Sequence, residues 1–273
     1  TGVGVCMPII MLITAFAALV SMGSAPRASV LMGRGDNEEA HYTLGNSFIM
    51  LIIIALVLTV FFRRFAEPIL MAFGASENTI GYAMDYMRIY TLGTIFVQFA
   101  LGLNAFITAQ GFAKISMATV VIGAVINIVL DPIFIFGFHM GVKGAALATI
   151  LSQAVSAIWV LRFLTGKKTI LKLQKKYFRL RGSVVGPCLL LGMSPFIMQA
   201  TESAISVCFN SSLYRYGGDI AVGSMSILTS IMQFSMLPLQ GFTQGAQPIT
   251  GYNFGAGNAD RVRQTFRLLL RYC

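Results

Sequence analysis

Seven stretches of about twenty mostly apolar residues take up most of this chain, at roughly 1–24, 44–62, 83–106, 115–137, 144–163, 185–212 and 220–247. A helix of that length is what a hydrocarbon layer of roughly 30 Å demands. Charge is scarce: only 11% of the 273 residues are charged and 56% are hydrophobic. A soluble domain carries about 25% charged residues, so this chain cannot clothe a water-facing surface, and it is too apolar for disorder or a coiled coil. The first stretch lacks the basic start of a signal peptide and is too long for one. Cys6, Cys188, Cys208 and Cys273 show neither a close pair nor metal spacing, so no disulfide framework or zinc site is indicated. The fold class is an all-α polytopic membrane protein with seven transmembrane helices visible.

Loop charge orients the spans. Lys167, Lys168, Lys172, Lys175, Lys176, Arg179 and Arg181 fall between the fifth and sixth spans without one acid, and Arg261, Arg263, Arg267 and Arg271 follow the seventh. Two spans separate these basic segments, so they share a side. With the loops after the first and third spans, that side holds 15 of the 20 Lys and Arg, which marks it as cytoplasmic. The net charge of +10 is thereby explained without a nucleic-acid partner. The segment 166–183 reads as a solvated basic linker between a first lobe, 1–165, and the start of a second, 184–273; anionic lipid or RNA is the other occupant its charge would suit.

The lobes follow from an internal repeat. Gly23, Pro26, Gly33 and Gly35 recur as Gly245, Pro248, Gly255 and Gly257, each 222 residues later, with Asp36 answered by Asn258. Each copy reads as Gly and Pro closing a span, a Gly-x-Gly turn, and a cap on a short amphipathic helix. Asp36 and Glu39 have the spacing of a capping box. If the first and seventh spans are equivalent, a repeat holds six spans. Six is even, so the copies run parallel, two six-helix lobes of a predicted twelve-span protein. The chain starts at Thr1 and stops within an apolar-periodic stretch at Cys273, and reads as an internal fragment with a span missing before it.

Acids within spans are costly and mark an ion, proton or substrate path. Asp131 interrupts the fourth span, one turn after Asn127 and just before Pro132, which deprives the Ile128 carbonyl of its helical donor. Glu202 interrupts the sixth, in a stripe of Gln199, Glu202, Ser206 and Asn210 spaced 3, 4 and 4 along one helical face. Gln98, Thr149 and Gln233 are further polar residues inside spans, and each could equally be glue between helices. Asp85 and Arg88 read as an interfacial ion pair. His41 and His139 form no metal pair, and neither a phosphate loop nor a nucleophile elbow occurs, so the chain is not read as an enzyme.

Asn127-Ile-Val-Leu-Asp131-Pro-Ile-Phe-Ile-Phe-Gly137, with Gly141-Val-Lys-Gly144-Ala-Ala-Leu-Ala-Thr149, resembles the fifth and sixth helices of the multidrug and toxic compound extrusion (MATE) transporters. Gln240-Gly-Phe-Thr-Gln-Gly245-Ala-Gln-Pro248, running on to Asn253-Phe-Gly-Ala-Gly257, resembles that family's eighth helix and following loop. The resemblance covers essentially the whole chain, as helices two to eight. It implies two lobes around a central cleft and an antiporter of the plasma membrane, exchanging amphipathic or cationic drugs for H+ or Na+ as a monomer with no other cofactor. It further implies an ion site at Asn127, Asp131 and Thr149, completed by an acid in a helix before Thr1, and a coupling role for Glu202. Gln98, Gln199, Ser206, Asn210 and Gln233 are the cleft candidates. A flippase for lipid-linked oligosaccharides, of similar architecture, would need basic residues in its cleft; a membrane interaction protein would need no acids at membrane depth.

Overall fold

The computed structural model describes residues 6–72 and 77–273, without the side chains of 72, 77, 78 and a set scattered over 203–230. The described residues form helices and connecting loops and no strand. In chain order the helices are α1 (Met7–Gly33), α2 (Asn37–Ala72), α3 (Glu77–Leu92), α4 (Thr94–Gln98), α5 (Asn104–Ala109), α6 (Ala113–Pro132), α7 (Gly141–Leu164), α8 (Gly182–Gly255) and α9 (Ala259–Tyr272). Five are long and apolar enough to cross a membrane, and a bent pair supplies a sixth crossing. The seventh expected span, 220–247, is helical throughout as part of α8.

The first span does not close at Pro26 as expected. α1 runs through Pro26 to Gly33 and ends at Gly35, whose φ of +80° no side chain adopts readily. α8 likewise runs through Pro248 and ends at Gly257, with φ +71°. These turns match bond for bond at an offset of 222. Gly35 N–H donates to Met32 and Asp36 N–H to Leu31; Gly257 N–H donates to Phe254 and Asn258 N–H to Asn253. The Asp36 carboxylate caps Glu39 N–H at 3.2 Å and the Asn258 carbonyl caps Arg261 N–H at 3.4 Å. The capping box is only half formed, because Glu39 turns instead to Arg27 at 3.8 Å.

The two copies also touch each other. A Cβ on Gly33 would collide with the Tyr252 carbonyl, and one on Gly255 with the Val30 carbonyl; Val30 and Tyr252 are themselves 222 apart. Such reciprocity, residue i on j and j on i, is the signature of a two-fold relation. Nearer the start of both helices Gly23 meets the Cys188 carbonyl and Gly192 the Leu19 carbonyl. Small residues let backbones approach this closely in lipid, where dispersion contacts replace the hydrophobic drive.

α8 cannot be straight. Cys188 and Tyr252 are sixty-four residues apart, about 96 Å along a straight helix, yet they contact Gly23 and Gly33, about 15 Å apart along α1. The chain therefore doubles back within α8, giving it two arms.

The third expected span, 83–106, is broken. α3 and α4 meet at Gly93 with a 59° bend. Gly93 lies against Ile150 of α7, which leaves no room for a side chain, and the Thr59 hydroxyl draws off the Thr91 carbonyl at 3.0 Å. A π-helical turn, Phe99–Leu103, follows. Kinks of this size have such identifiable local causes. Asp85 pairs with Lys143 at 3.4 Å rather than with Arg88, tying α3 to the start of α7.

The stretch between α7 and α8 is an ordered strap, tied to the helices at several points while much of its outer surface stays exposed. The Thr169 hydroxyl and the N–H groups of Ile170 and Leu171 converge on Gln110 Oε1 at 2.7, 2.8 and 2.8 Å. Leu173 N–H returns to the Leu164 carbonyl at 2.9 Å, and Arg181 N–H donates to Asn46 Oδ1 at 2.8 Å. Leu171 is fully buried in the core of α1, α2, α5 and α7. Phe178 stacks on Phe48, which stacks on Phe99, each pair 5.1 Å between centroids. Composition reported the strap's charge, but its anchors are single residues on distant helices, which no pattern along the strap reveals.

Candidate ion site

α6 ends at Pro132, whose missing N–H is the one the Ile128 carbonyl would accept from. The next donor, Ile133 N–H, bonds back to Leu130, and a π-helical segment, Ile133–Gly137, follows. Asp131 sits at this discontinuity. Its side chain is half-buried, and its Oδ1 is shielded from solvent without a hydrogen-bond partner; the same holds for Asn127 Nδ2 one turn earlier. Buried polar atoms are rarely left so. An orphaned carboxylate oxygen inside an apolar helix pair needs a proton or a cation.

Thr149 of α7 donates to the Ala145 carbonyl at 2.9 Å. Its hydroxyl lies beside the buried phenol of Tyr86. Asp131 is close enough to Tyr86 to act on it electrostatically. Three helices, α3, α6 and α7, thus bring an acid, an amide, a hydroxyl and a phenol together. The sequence singled out Asp131, Asn127 and Thr149 but not Tyr86, which the structure places beside them. The available signal was that a tyrosine inside a span needs a partner for its hydroxyl.

The other candidates do not join this cluster. Gln98 is fully buried and donates through Nε2 to the Ile13 carbonyl at 2.8 Å, so here it packs α4 on α1 and opens to no cleft. Its Oε1 lacks a partner. Gln199, Glu202 and Gln233 are exposed on α8. The side chains of Ser206 and Asn210 lie outside the described residues, so the stripe is traced only at Gln199 and Glu202. Among the described residues no group of three His, Cys, Asp or Glu could hold a metal ion.

Like halves meeting on a two-fold seam, with an unpartnered acid at a broken span, are the architecture of a repeat-built membrane transporter. The chain belongs to the MatE family, which matches residues 1–133 and 195–271; one copy of the repeated turn falls in each stretch. The multidrug export protein MepA of Staphylococcus haemolyticus is 29% identical over 270 residues, 99% of this chain and 59% of that protein. The chain thus spans about three-fifths of the length of the curated relatives it matches. The solved structure of the MATE multidrug transporter DinF-BH aligns at a TM-score of 0.90 and 37% identity, over 99% of this chain and 60% of that one. A MOP superfamily transporter from Pyrococcus furiosus Vc1, for which reverse polarity of the binding pocket suggests a different function, aligns at 0.92 and 25% identity over 99% and 60%.

Proposed function

We propose that this chain forms the greater part of an antiporter of the plasma membrane. It extrudes amphipathic and cationic organic molecules in exchange for H+ or Na+, and works as a monomer. The observation that carries the reading is the solvent-shielded, unpartnered Asp131 Oδ1 beside the equally orphaned Asn127. One carboxylate with neutral oxygens from Asn127 and Thr149 offers a single negative charge, which suits a proton or a monovalent cation. Cation and cationic drug then compete for acids in the lobes, Asp131 in the first and Glu202 in the second, and exchange follows. The multidrug names of the relatives support the cargo class. A transporter of similar fold whose reversed pocket polarity suggests a different function puts the choice of cargo in the site rather than the fold; acids with few Arg or Lys inside the spans favour cations here.

The lobes of this reading are 1–165 and 184–273, with Gln199, Ser206, Asn210 and Gln233 facing the cleft and the basic strap on the cytoplasmic side. The test is efflux of a cationic dye from vesicles holding the intact protein, under an imposed H+ or Na+ gradient. Asp131→Asn keeps shape and hydrogen-bonding capacity but cannot exchange a proton. It is expected to insert and fold while gradient-driven efflux falls to background. Efflux at the wild-type rate would move the coupling role to Glu202.

A further inference from the structure

The strap 166–181 has two faces. Its inner face is spent on the protein: Thr169, Leu171 and Leu173 toward Gln110 and the core, Tyr177 edge-on to Tyr42 at 4.9 Å, Phe178 on Phe48. The outer face combines two chemistries that are seldom displayed together. Lys167, Lys168, Lys175, Lys176 and Arg179 are exposed, and none of them is in an ion pair among the described residues. Ile170, between Lys168 and Lys175, and Leu180, next to Arg179, are also exposed, 54% and 50%.

The strap's position gives this pairing a meaning. It is anchored where spans end: at Gln110 just past α5, at Leu164 closing α7, and at Asn46 in the early turns of α2. It therefore lies level with the boundary between hydrocarbon and water. Fixed cations flanking apolar side chains at that level match an anionic lipid leaflet, phosphates above and acyl carbons below. The acids at the same end, Asp36, Glu38 and Glu39, open α2, and Glu39 is engaged by Arg27. They leave the basic excess of the strap in place.

We propose that the outer face of the strap binds anionic phospholipid headgroups of the adjoining leaflet, with Ile170 and Leu180 seated among the acyl chains. Because Gln110 and Asn46 fix the backbone beforehand, only the side chains need ordering at the moment of binding. A flexible linker of the same composition would attract the same lipids less specifically. The binding does not depend on the transport reading, since it uses none of the residues of the ion site.

The test is retention of phosphatidylglycerol, with phosphatidylcholine as the reference, by the purified intact protein under native mass spectrometry. Lys167→Gln, Lys168→Gln, Lys175→Gln and Lys176→Gln combined leave the anchors untouched and should weaken phosphatidylglycerol retention about tenfold or more. Ile170→Ser with Leu180→Ser should weaken retention of both lipids. On the unsubstituted protein, raising salt from about 50 to about 500 mM should release phosphatidylglycerol and spare phosphatidylcholine, a readout that stands even if the variants misfold. Equal retention of the two lipids, salt-insensitive retention, an unchanged quadruple variant, or displacement of the lipid by RNA would each overturn the proposal.

Discussion

Asp131 and Tyr86 show how a residue can be read from sequence or escape it. An acid inside an apolar run announces itself, because nothing about packing requires it there. Asn127 and Thr149 were legible through helical spacing and family likeness. Tyr86 was not, because an aromatic in a span is most often packing, and only the fold brings its hydroxyl beside Thr149 and Asp131. Tyr86→Phe keeps the ring, and with it the stacking on Tyr90 at 5.7 Å between centroids, but removes the hydroxyl that lies beside Thr149. The expected result is a loss of about 1 kcal/mol in stability, read by thermal melting, together with an altered ion dependence of efflux. An unchanged ion dependence would reduce Tyr86 to packing.

At the scale of elements, the spans were legible and their irregularities were not. Length and apolarity set the spans. The bend at Gly93, the π-helical turns and the doubling back of α8 answer to neighbours far off in sequence, such as Ile150 against Gly93. The strap belongs with them. Gln110→Leu removes one acceptor and strands the N–H groups of Ile170 and Leu171, each at a cost of about 1–3 kcal/mol. The strap should then open locally, and trypsin should cut after Lys167 to Lys176 at least several times faster than in the unsubstituted protein. Equal cutting rates would show that the apolar contacts of Leu171, Leu173 and Phe178 hold it unaided.

Over the whole molecule, the seam between the two turns is the feature with the longest reach. The sequence carried it as an offset of 222; what it could not carry was that the two copies meet. Gly33→Ala and Gly255→Ala each place a methyl group against a backbone carbonyl, which cannot rotate away as a side chain can. Each should lower stability by about 1–3 kcal/mol. Because both act on one seam, the double variant should cost clearly less than the two singles together. Gly186→Ala, with open space around it, is the control and should be neutral or stabilising by up to about 1 kcal/mol. Thermal melting of the four variants and the unsubstituted protein in one detergent decides it, and strict additivity would mean that the glycines do not share a contact.

The seam also imposes a timetable on biosynthesis. Gly33 leaves the ribosome long before its partners at Tyr252 and Gly255, and at about 5–20 residues per second the gap is roughly 10 to 45 s. Throughout that interval a bare, close-fitting glycine surface stands in the bilayer. The seam can therefore close only after every span between the two copies has been made.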